Sequence, residues 1–290
     1  MQRLAFYYIQ AKFKLLSFFS TKKAAQQAFD LFSTPNLLHP KTLRQIHNAE
    51  PIQVLLNIQP PHPVKSIPNK AITVRGYRWN HPGTKRILIL HGFGSAAHKF
   101  EAYVDPLVAK GYEVIAFDAP AHGSSDGTRT NAVEYCSMVE QVMEQFGPID
   151  GFIAHSFGAL AVCLALEKIK HGPNIKLVLI APATETSTAI DQAFSQLKIS
   201  SKKIRIAFEK LIFDVSGKEA NWFSIRRTMP FIHASVLWIH DLDDTITPVQ
   251  DAMQVRSDQH KNVEFVFTKG LGHQRIYRDA TVKKQVTDFL

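Results

Sequence analysis

The chain has 290 residues, of which 45% are apolar, 10% aromatic and 20% charged. This composition supports a sizeable core and excludes an intrinsically disordered protein. No run of about 18 uncharged apolar residues occurs, so we expect no membrane-spanning helix, and the net charge of +9 is dispersed without a basic run, so we expect no nucleic-acid partner. Cys136 and Cys163 are too few for a disulfide scaffold and lie in apolar helical patterns, which favours a reducing, cytoplasmic location.

Residues 1–70 are predicted to form an N-terminal extension. Apolar side chains recur there at helical spacing, at positions 4, 8, 11, 15 and 18, with basic residues between them. A basic amphipathic helix of this kind either contacts an anionic membrane through residues 1–20 or packs its apolar side on the protein itself, and the sequence leaves both open. Prolines at 60, 61, 63 and 68 then predict an extended connection, so that the main body begins near residue 71.

From residue 71 onward, short apolar runs alternate with helical patterns. Most of the runs are continuously apolar, as expected for parallel strands buried on both faces: Ile87–Leu90, Val114–Phe117, Phe152–Ala154, Leu177–Ile180, Val236–Ile239 and Val263–Phe267. The run Ile72–Trp79 instead alternates, and its apolar parity shifts at Gly76, which predicts a bulge in an edge strand. The alternation as a whole predicts an α/β fold over residues 71–290, with a doubly wound, mostly parallel sheet.

Three helices have clear boundaries in the sequence. Apolar residues at helical spacing predict one helix over Phe100–Val108 and another over Tyr135–Phe146, the second opened by Asn131. Thr247 followed by Pro248 predicts an N-cap and the first residue of a third helix.

The connection between Ile180 and Val236 is several times longer than the dozen or so residues that a crossover needs. Its excess, residues 184–230, contains aromatic and aliphatic side chains among charged ones. We expect a helical cap over one end of the sheet, which would act as the lid of a ligand site. The alternative is that these residues only pack on the sheet and have no role in ligand binding.

The strongest chemical signal is Ala154-His155-Ser156-Phe157-Gly158. It stands between a buried apolar run and a helical pattern, so the serine lies at a sharp strand-to-helix turn. Such a turn crowds the positions two before and two after its apex, and both are small here. The strained turn exposes a serine hydroxyl over the N-terminus of the next helix, which suits a nucleophile. The alternative is a simple tight turn whose serine caps the helix and has no chemical role.

A serine hydroxyl is a poor nucleophile and needs a base and an orienting acid. Asp243 and Asp244 follow the run Val236–Ile239, and His273 follows the last strand in a glycine-rich loop. The order serine, acid, histidine is that of the α/β-hydrolases and differs from the orders of the chymotrypsin-like and subtilisin-like proteases.

The chain thus resembles the α/β-hydrolase superfamily over residues 71–290. His91-Gly-Phe-Gly94 is similar to the family's oxyanion loop, Phe117–Ser125 resembles its D-x-x-x-x-G-x-S loop, and the acid loop resembles H-G-x-x-D-x-x-x-P with Asp241 in place of the glycine. Family spacing implies Asp244 as the acid, with Asp243 as the alternative and Asp241 as a solvent-facing turn acid.

The resemblance also implies roles for the residues around the serine. Backbone N–H groups of Phe93 and Phe157 would form the oxyanion hole. His91, Gly92, Gly94 and His155 would support the loop and the elbow. His122, in the neighbouring Ala-His-Gly turn, is expected to be structural and not catalytic.

The function implied is that of a serine hydrolase that cleaves a carboxylic ester or thioester through Ser156, Asp244 and His273 and an acyl-enzyme. The apolar cap predicts a small-molecule substrate with an acyl or aryl group, and the chemistry needs neither a metal nor an organic cofactor. Lys202, Lys203 and Arg205 either recognise an anionic part of the substrate or form a solvated helix face. A non-catalytic binding module, a peptidase and a C–C bond hydrolase are the alternatives.

Overall fold

The computed structural model describes residues 19–35, 48–58 and 70–290, together with residues 10, 13 and 46. The segment with the helical spacing at positions 4–18 and the proline-rich connection at 60–68 lie almost entirely outside these described residues. Within the described ranges, no helix is long and apolar enough to cross a membrane.

Eight strands form one open sheet. In chain order they are β1 (Glu50–Ile58), β2 (Lys70–Trp79), β3 (Lys85–Leu90), β4 (Tyr112–Phe117), β5 (Gly151–His155), β6 (Lys176–Ile180), β7 (Ser235–Asp241) and β8 (Val263–Thr268). Their order across the sheet is β1-β2-β4-β3-β5-β6-β7-β8, with β1–β2 and β2–β4 antiparallel and the other pairs parallel. The doubly wound, mostly parallel sheet predicted from the apolar runs is therefore confirmed.

The helices cover both faces of the sheet. Those whose full extent lies in the described ranges are, in chain order, α1 (Thr21–Ser33), α2 (Val104–Ala109), α3 (Ala132–Phe146), α4 (Phe157–Leu166), α5 (Thr186–Gln196), α6 (Lys202–Ser216), α7 (Ile225–Thr228), α8 (Val249–Ser257), α9 (Gly272–Arg275) and α10 (Ala280–Phe289). Short 3₁₀ segments span Ala97–Tyr103, Ala220–Trp222, Met229–Phe231 and Ile276–Arg278. On β3, Leu88 belongs to the apolar core under α3 and α4, whereas Ile89 belongs to the core under α2 and α10.

The first two strands differ from the sequence analysis. The main body was expected to begin near residue 71, but the sheet already includes β1, which starts at Glu50. β2 was expected to be an edge strand with a bulge at Gly76, but it pairs with β1 and β4, and its register with β1 is continuous. The parity shift has another cause: Val74 is buried in one core and Trp79 in the other, because both faces of β2 are covered.

Close strand contact explains the glycine itself. A Cβ atom at Gly76 would lie 2.6 Å from the carbonyl oxygen of Ala116 and 2.6 Å from the ring of Phe117. The glycine therefore permits the close approach of β2 to β4.

The predicted helices are present, with local differences. Asn131 caps α3, since its side-chain oxygen accepts hydrogen bonds from Val133 N at 2.9 Å and Glu134 N at 3.0 Å. The first predicted helix begins instead as the 3₁₀ segment Ala97–Tyr103 before it continues as α2.

The long connection after β6 folds into helices α5, α6 and α7, as the sequence analysis expected for residues 184–230. The helix α1 lies against α6, where the Phe29 and Phe32 rings contact the ring of Phe208 at centroid distances of 5.9 and 5.6 Å. The apolar surface over the sheet thus combines the cap with a helix from the start of the chain.

Candidate active site

Ser156 stands between β5 and α4 with φ 53° and ψ −115°. This is a strained conformation for a residue with a side chain, and the surrounding fold must maintain it. Gly158 shows why the turn needs small neighbours: a Cβ atom there would lie 2.7 Å from the carbonyl oxygens of both Leu90 and His91. The serine is therefore held at the carboxyl end of the central strands, where open α/β sheets bind their ligands.

His273 links the serine to an acid. Its Nε2 lies 3.0 Å from Ser156 Oγ, and its Nδ1 lies 2.8 Å from Asp244 Oδ2. The imidazole comes from the start of α9, directly after the loop that follows β8, and Gly270 and Gly272 precede it at φ 84° and 60°. Only glycine adopts such angles at little cost, so the loop can turn back toward β5. The three residues, far apart in the chain, form one continuous series of hydrogen bonds.

Asp244 is buried and accepts several hydrogen bonds. Ile246 N and Thr247 N donate to Oδ1 at 2.8 and 2.9 Å, and Thr247 Oγ1 donates to Oδ2 at 2.8 Å. Burial raises the pKa of this carboxyl, but the hydrogen bond and charge of His273 and the backbone donors outweigh it, so the pKa lies below its ordinary value. An anionic Asp244 would hold the Nδ1 proton of His273 in place.

The structure brings Asp244 to His273 and not the alternative, Asp243. Asp243 is exposed, and its carboxylate accepts a hydrogen bond from Gly270 N at 3.0 Å. The sequence analysis expected Thr247 to cap the following helix, but Pro248 occupies the cap position of α8. The threonine hydroxyl is used on the Asp244 carboxylate instead.

Asp241 is a buried acid and not the solvent-facing residue that the sequence analysis expected. Its Oδ2 accepts hydrogen bonds from Thr268 Oγ1 at 2.7 Å and Leu271 N at 3.0 Å, and its Oδ1 accepts one from Asp243 N at 3.0 Å. Although burial raises its pKa, these donors lower it below the ordinary value. The residue that replaces the family's glycine thus connects the acid loop to the histidine loop.

The loop His91–Gly94 packs directly against the serine. A Cβ atom at Gly92 would lie 2.9 Å from Ser156 Cβ and 2.8 Å from His155 Nδ1. His91 Nε2 accepts a hydrogen bond from Ala119 N at 3.0 Å, which fixes the loop. The main chain can approach Ser156 this closely only because residue 92 has no side chain.

Among the hydrogen bonds between described backbone groups, none is donated by the N–H of Phe93 or by that of Phe157. The rings of these two residues meet edge to face at 5.8 Å. Gly94 N, in contrast, donates to His122 Nε2 at 3.0 Å, so His122 supports the loop.

The imidazole of His155 packs against His273. Its Nε2 is 3.1 Å from the backbone oxygen of His273, and its ring lies 4.8 Å from the His273 ring. Complete burial, and then the charge of His273, lower the pKa of His155 to about 3. The imidazole is therefore neutral near pH 7 and can donate its Nε2 proton to the His273 carbonyl.

A cavity of about 520 Å³ opens on Ser156 and continues under the cap. Its walls come from α1, α4, α5 and α6, from the start of α3 and from neighbouring loops, and none of the described residues that line it carries a charge. Arg205 does not face it, because its guanidinium pairs with Asp191 and Glu209 and lies over the ring of Phe194. Within the same described ranges, no group of three or more His, Cys, Asp or Glu side chains is arranged to hold a metal ion.

Three features of the site escaped the sequence analysis: the loop connection by Asp241, the hydroxyl of Thr247 and the wall provided by α1. The amphipathic spacing of α1 was a usable signal, since Ala24, Ala25 and Ala28 are buried along it. Asp241 connects two loops that are far apart in the chain, whereas Thr247 contacts a carboxylate three residues before it in the same loop. Neither contact follows from the spacing of apolar residues.

An open, mostly parallel sheet with a strained serine turn and a helical cap defines a hydrolase of the α/β type. The model of the alpha/beta hydrolase family matches residues 87–280. The chain therefore belongs to this family and is an α/β-hydrolase enzyme.

Several relatives fit that assignment. A Mycoplasma genitalium protein with the provisional name esterase/lipase 2 is 22% identical over 220 residues, which are 64% of this chain and 81% of that protein. An esterase of Pyrococcus furiosus shares the fold with a TM-score of 0.60 and 20% identity, over 87% of this chain and 97% of that one. A monoacylglycerol lipase of Paleococcus ferrophilus has a TM-score of 0.55 and 21% identity, over 74% and 95%.

Proposed function

We propose that the protein is a serine hydrolase that cleaves a carboxylic ester or thioester through Ser156, His273 and Asp244. The hydrogen bonds from Ser156 Oγ to His273 and from His273 to Asp244 carry this proposal. They put a general base within reach of the hydroxyl proton and an acid behind the base, the arrangement that nucleophilic acyl transfer requires.

The steps follow from these contacts. His273 Nε2 takes the Ser156 proton as Oγ attacks the acyl carbonyl, and the resulting imidazolium is stabilised by Asp244. The backbone N–H groups of Phe93 and Phe157 donate to the oxyanion. His273 then protonates the leaving alcohol or thiol, and an acyl group stays on Ser156. Water, deprotonated by the same histidine, attacks the acyl-enzyme, and the departing serine recovers its proton.

The cavity supports an apolar acyl or aryl group on the substrate. Such a group buries its surface against uncharged walls, whereas a charged group would lose its hydration there without a partner. Lys202 and Lys203, which are exposed on α6, would meet only the part of a substrate outside the cavity.

A fluorophosphonate tests the proposed nucleophile. Intact-mass measurement should show one adduct on the wild type, none on Ser156→Ala, and one on Ser257→Ala, which alters an exposed serine elsewhere. Esters and thioesters with a common acyl group, beside a peptide substrate, then separate the esterase and thioesterase from a peptidase. A folded wild type that forms no adduct and hydrolyses none of them would favour the non-catalytic binding module.

Peripheral membrane contact through residues 1–20 is a second proposal, and it rests on the sequence pattern and on three exposed residues beside it. Phe19, Lys22 and Lys23 are exposed at the start of α1, and each lysine near an anionic surface contributes about 1 kcal/mol. Full-length protein should co-sediment with phosphatidylglycerol vesicles, and the double variant Lys12→Glu/Lys14→Glu should do so less. Equal pelleting of the two would contradict the proposal.

The buried free thiols of Cys136 and Cys163 accord with a reducing compartment. A cytoplasmic location stays a prediction.

A further inference from the structure

The helix α1 borders the cavity over Ser156, although it lies outside the matched family region, residues 87–280. Ala28, Phe29, Leu31 and Phe32 of α1 all line this cavity. Because they fall at helical spacing on one side of α1, they form a continuous strip of wall. The cavity therefore has one wall that the matched region does not supply.

The wall is built around the ring of Phe208 on α6. This ring is buried, and it meets Phe29, Phe32 and Phe194 at centroid distances of 5.9, 5.6 and 5.2 Å, with interplanar angles between 62° and 83°. Edge-to-face contacts of this kind are favourable and restrict the rings to defined positions. The aromatic wall, which is the set of Phe29, Phe32, Phe194 and Phe208, is thus a defined boundary of the cavity.

The helix α1 is also fixed to the hydrolase body. Ala24, Ala25 and Ala28 are buried, and such small side chains let a helix approach its neighbour closely. At the end of α1, the backbone oxygen of Ser33 accepts a hydrogen bond from Thr130 N at 2.9 Å. The wall therefore keeps a set distance from the serine.

We propose that α1 determines the acyl-chain specificity of the enzyme, with Phe29 and Phe32 setting how long a chain the cavity accepts. The proposal rests on the proposed hydrolysis at Ser156 and names its substrate class: neutral esters or thioesters of unbranched fatty acids. Such a chain would run from the acyl carbon at Ser156, over uncharged walls, to the aromatic wall.

The chain-length dependence of hydrolysis provides the test. For p-nitrophenyl esters from acetate to palmitate, kcat/KM should rise about fourfold for each added methylene while the chain enters the cavity, and then fall once it meets the wall. In Phe29→Ala and Phe32→Ala the maximum should move to longer chains, and the activity on dodecanoate relative to butyrate should rise about tenfold. Phe32→Trp should move the maximum to shorter chains.

Phe213→Ala is the matched control. It removes the same side chain from α6, but Phe213 is 44% exposed and does not line the cavity. The dependence of kcat/KM on chain length in this variant should equal that of the wild type. Identical profiles for the wild type and both alanine variants, or an equal shift in Phe213→Ala, would overturn the proposal.

Failure of this proposal and failure of the proposed hydrolysis give different results. Fluorophosphonate labelling of Ser156 and turnover of the acetate ester report mainly on the hydrolysis, because the acetyl group has the least apolar surface to place against the aromatic wall. If thermal unfolding shows that either alanine variant is not folded, the chain-length profiles of Phe32→Leu and Phe32→Trp provide the test instead, since these variants retain a large side chain at the wall. Unchanged profiles in these two would also overturn the proposal.

Discussion

Asp241 and Leu271 are joined by a hydrogen bond of 3.0 Å, from the backbone N–H of Leu271 to the buried carboxylate of Asp241. Asp241 ends β7 and Leu271 follows β8, so this bond spans the two loops that carry Asp244 and His273. A buried carboxylate with several donors is costly to remove, since each donor then loses its partner. The position of His273 relative to the acid should therefore depend on Asp241.

Asp241→Ala should lower the free energy of unfolding by about 2 kcal/mol, because it leaves buried donors without an acceptor. It should also lower kcat more than it raises KM, because the histidine loop shifts while the cavity stays intact. Urea unfolding and steady-state kinetics measure both effects. Asp243→Ala, in the same loop but exposed, should change the unfolding free energy by less than about 1 kcal/mol. Equal effects of the two variants would refute a positioning role for Asp241.

Asp244→Asn should reduce kcat about 10⁴-fold, because an amide no longer holds His273 in the tautomer that accepts the serine proton. Asp243→Asn should leave kcat within a few-fold, because its carboxylate contacts Gly270 N and not the imidazole. The comparison uses initial rates on one activated ester, with circular dichroism to confirm folding. A larger loss in Asp243→Asn would assign the acid to the other position.

Gly92→Ala should reduce kcat about a hundredfold or more. The added methyl group would lie 2.9 Å from Ser156 Cβ and 2.8 Å from His155 Nδ1, so the loop must move away from the serine and take the proposed Phe93 donor with it. Gly172→Ala is the matched control, since a Cβ atom there would meet nothing within 4 Å. Unchanged kcat in a folded Gly92→Ala would mean that the Phe93 N–H does not stabilise the oxyanion.

His155 should make the stability of the protein depend on pH. Burial, followed by the charge of His273, lowers the pKa of His155 to about 3 in the folded state, whereas an unfolded histidine titrates near 6.5. Between about pH 6.5 and pH 3 the unfolded chain therefore binds a proton that the folded chain does not. Stability should fall as the pH falls through this range, by up to about 1.4 kcal/mol per pH unit from this residue.

Urea unfolding at a series of pH values between 7 and 4 measures this contribution. His155→Asn removes the titrating group, so its free energy of unfolding should fall less steeply with decreasing pH than that of the wild type, whatever its stability at pH 7. Parallel curves for the two proteins would show that His155 does not titrate on unfolding.

The parts of the fold that the sequence predicted are those with local signals. The buried strands are visible in the sequence as apolar runs. The serine turn requires small residues two positions before and two positions after Ser156, as Gly158 shows. The role of Asp241 depends on where the loop after β7 lies relative to the loop after β8, and a sequence pattern cannot supply that. Thr247 is only three residues from Asp244, but the spacing of apolar residues does not show which acceptor its hydroxyl takes. Similarly, β1 was missed because its partner, β2, was itself expected to lie at the edge of the sheet.

The place of α1 in the cavity has a consequence for synthesis of the chain. The ribosome completes α1 early, whereas α6 begins only at Lys202, so at roughly 5–20 residues per second α1 waits about ten seconds or longer for its partner. During that interval Phe29 and Phe32 have no Phe208 to pack against. The nascent chain therefore exposes an apolar aromatic helix until most of it has been made, and we expect ribosome-associated chaperones to raise the yield of folded protein.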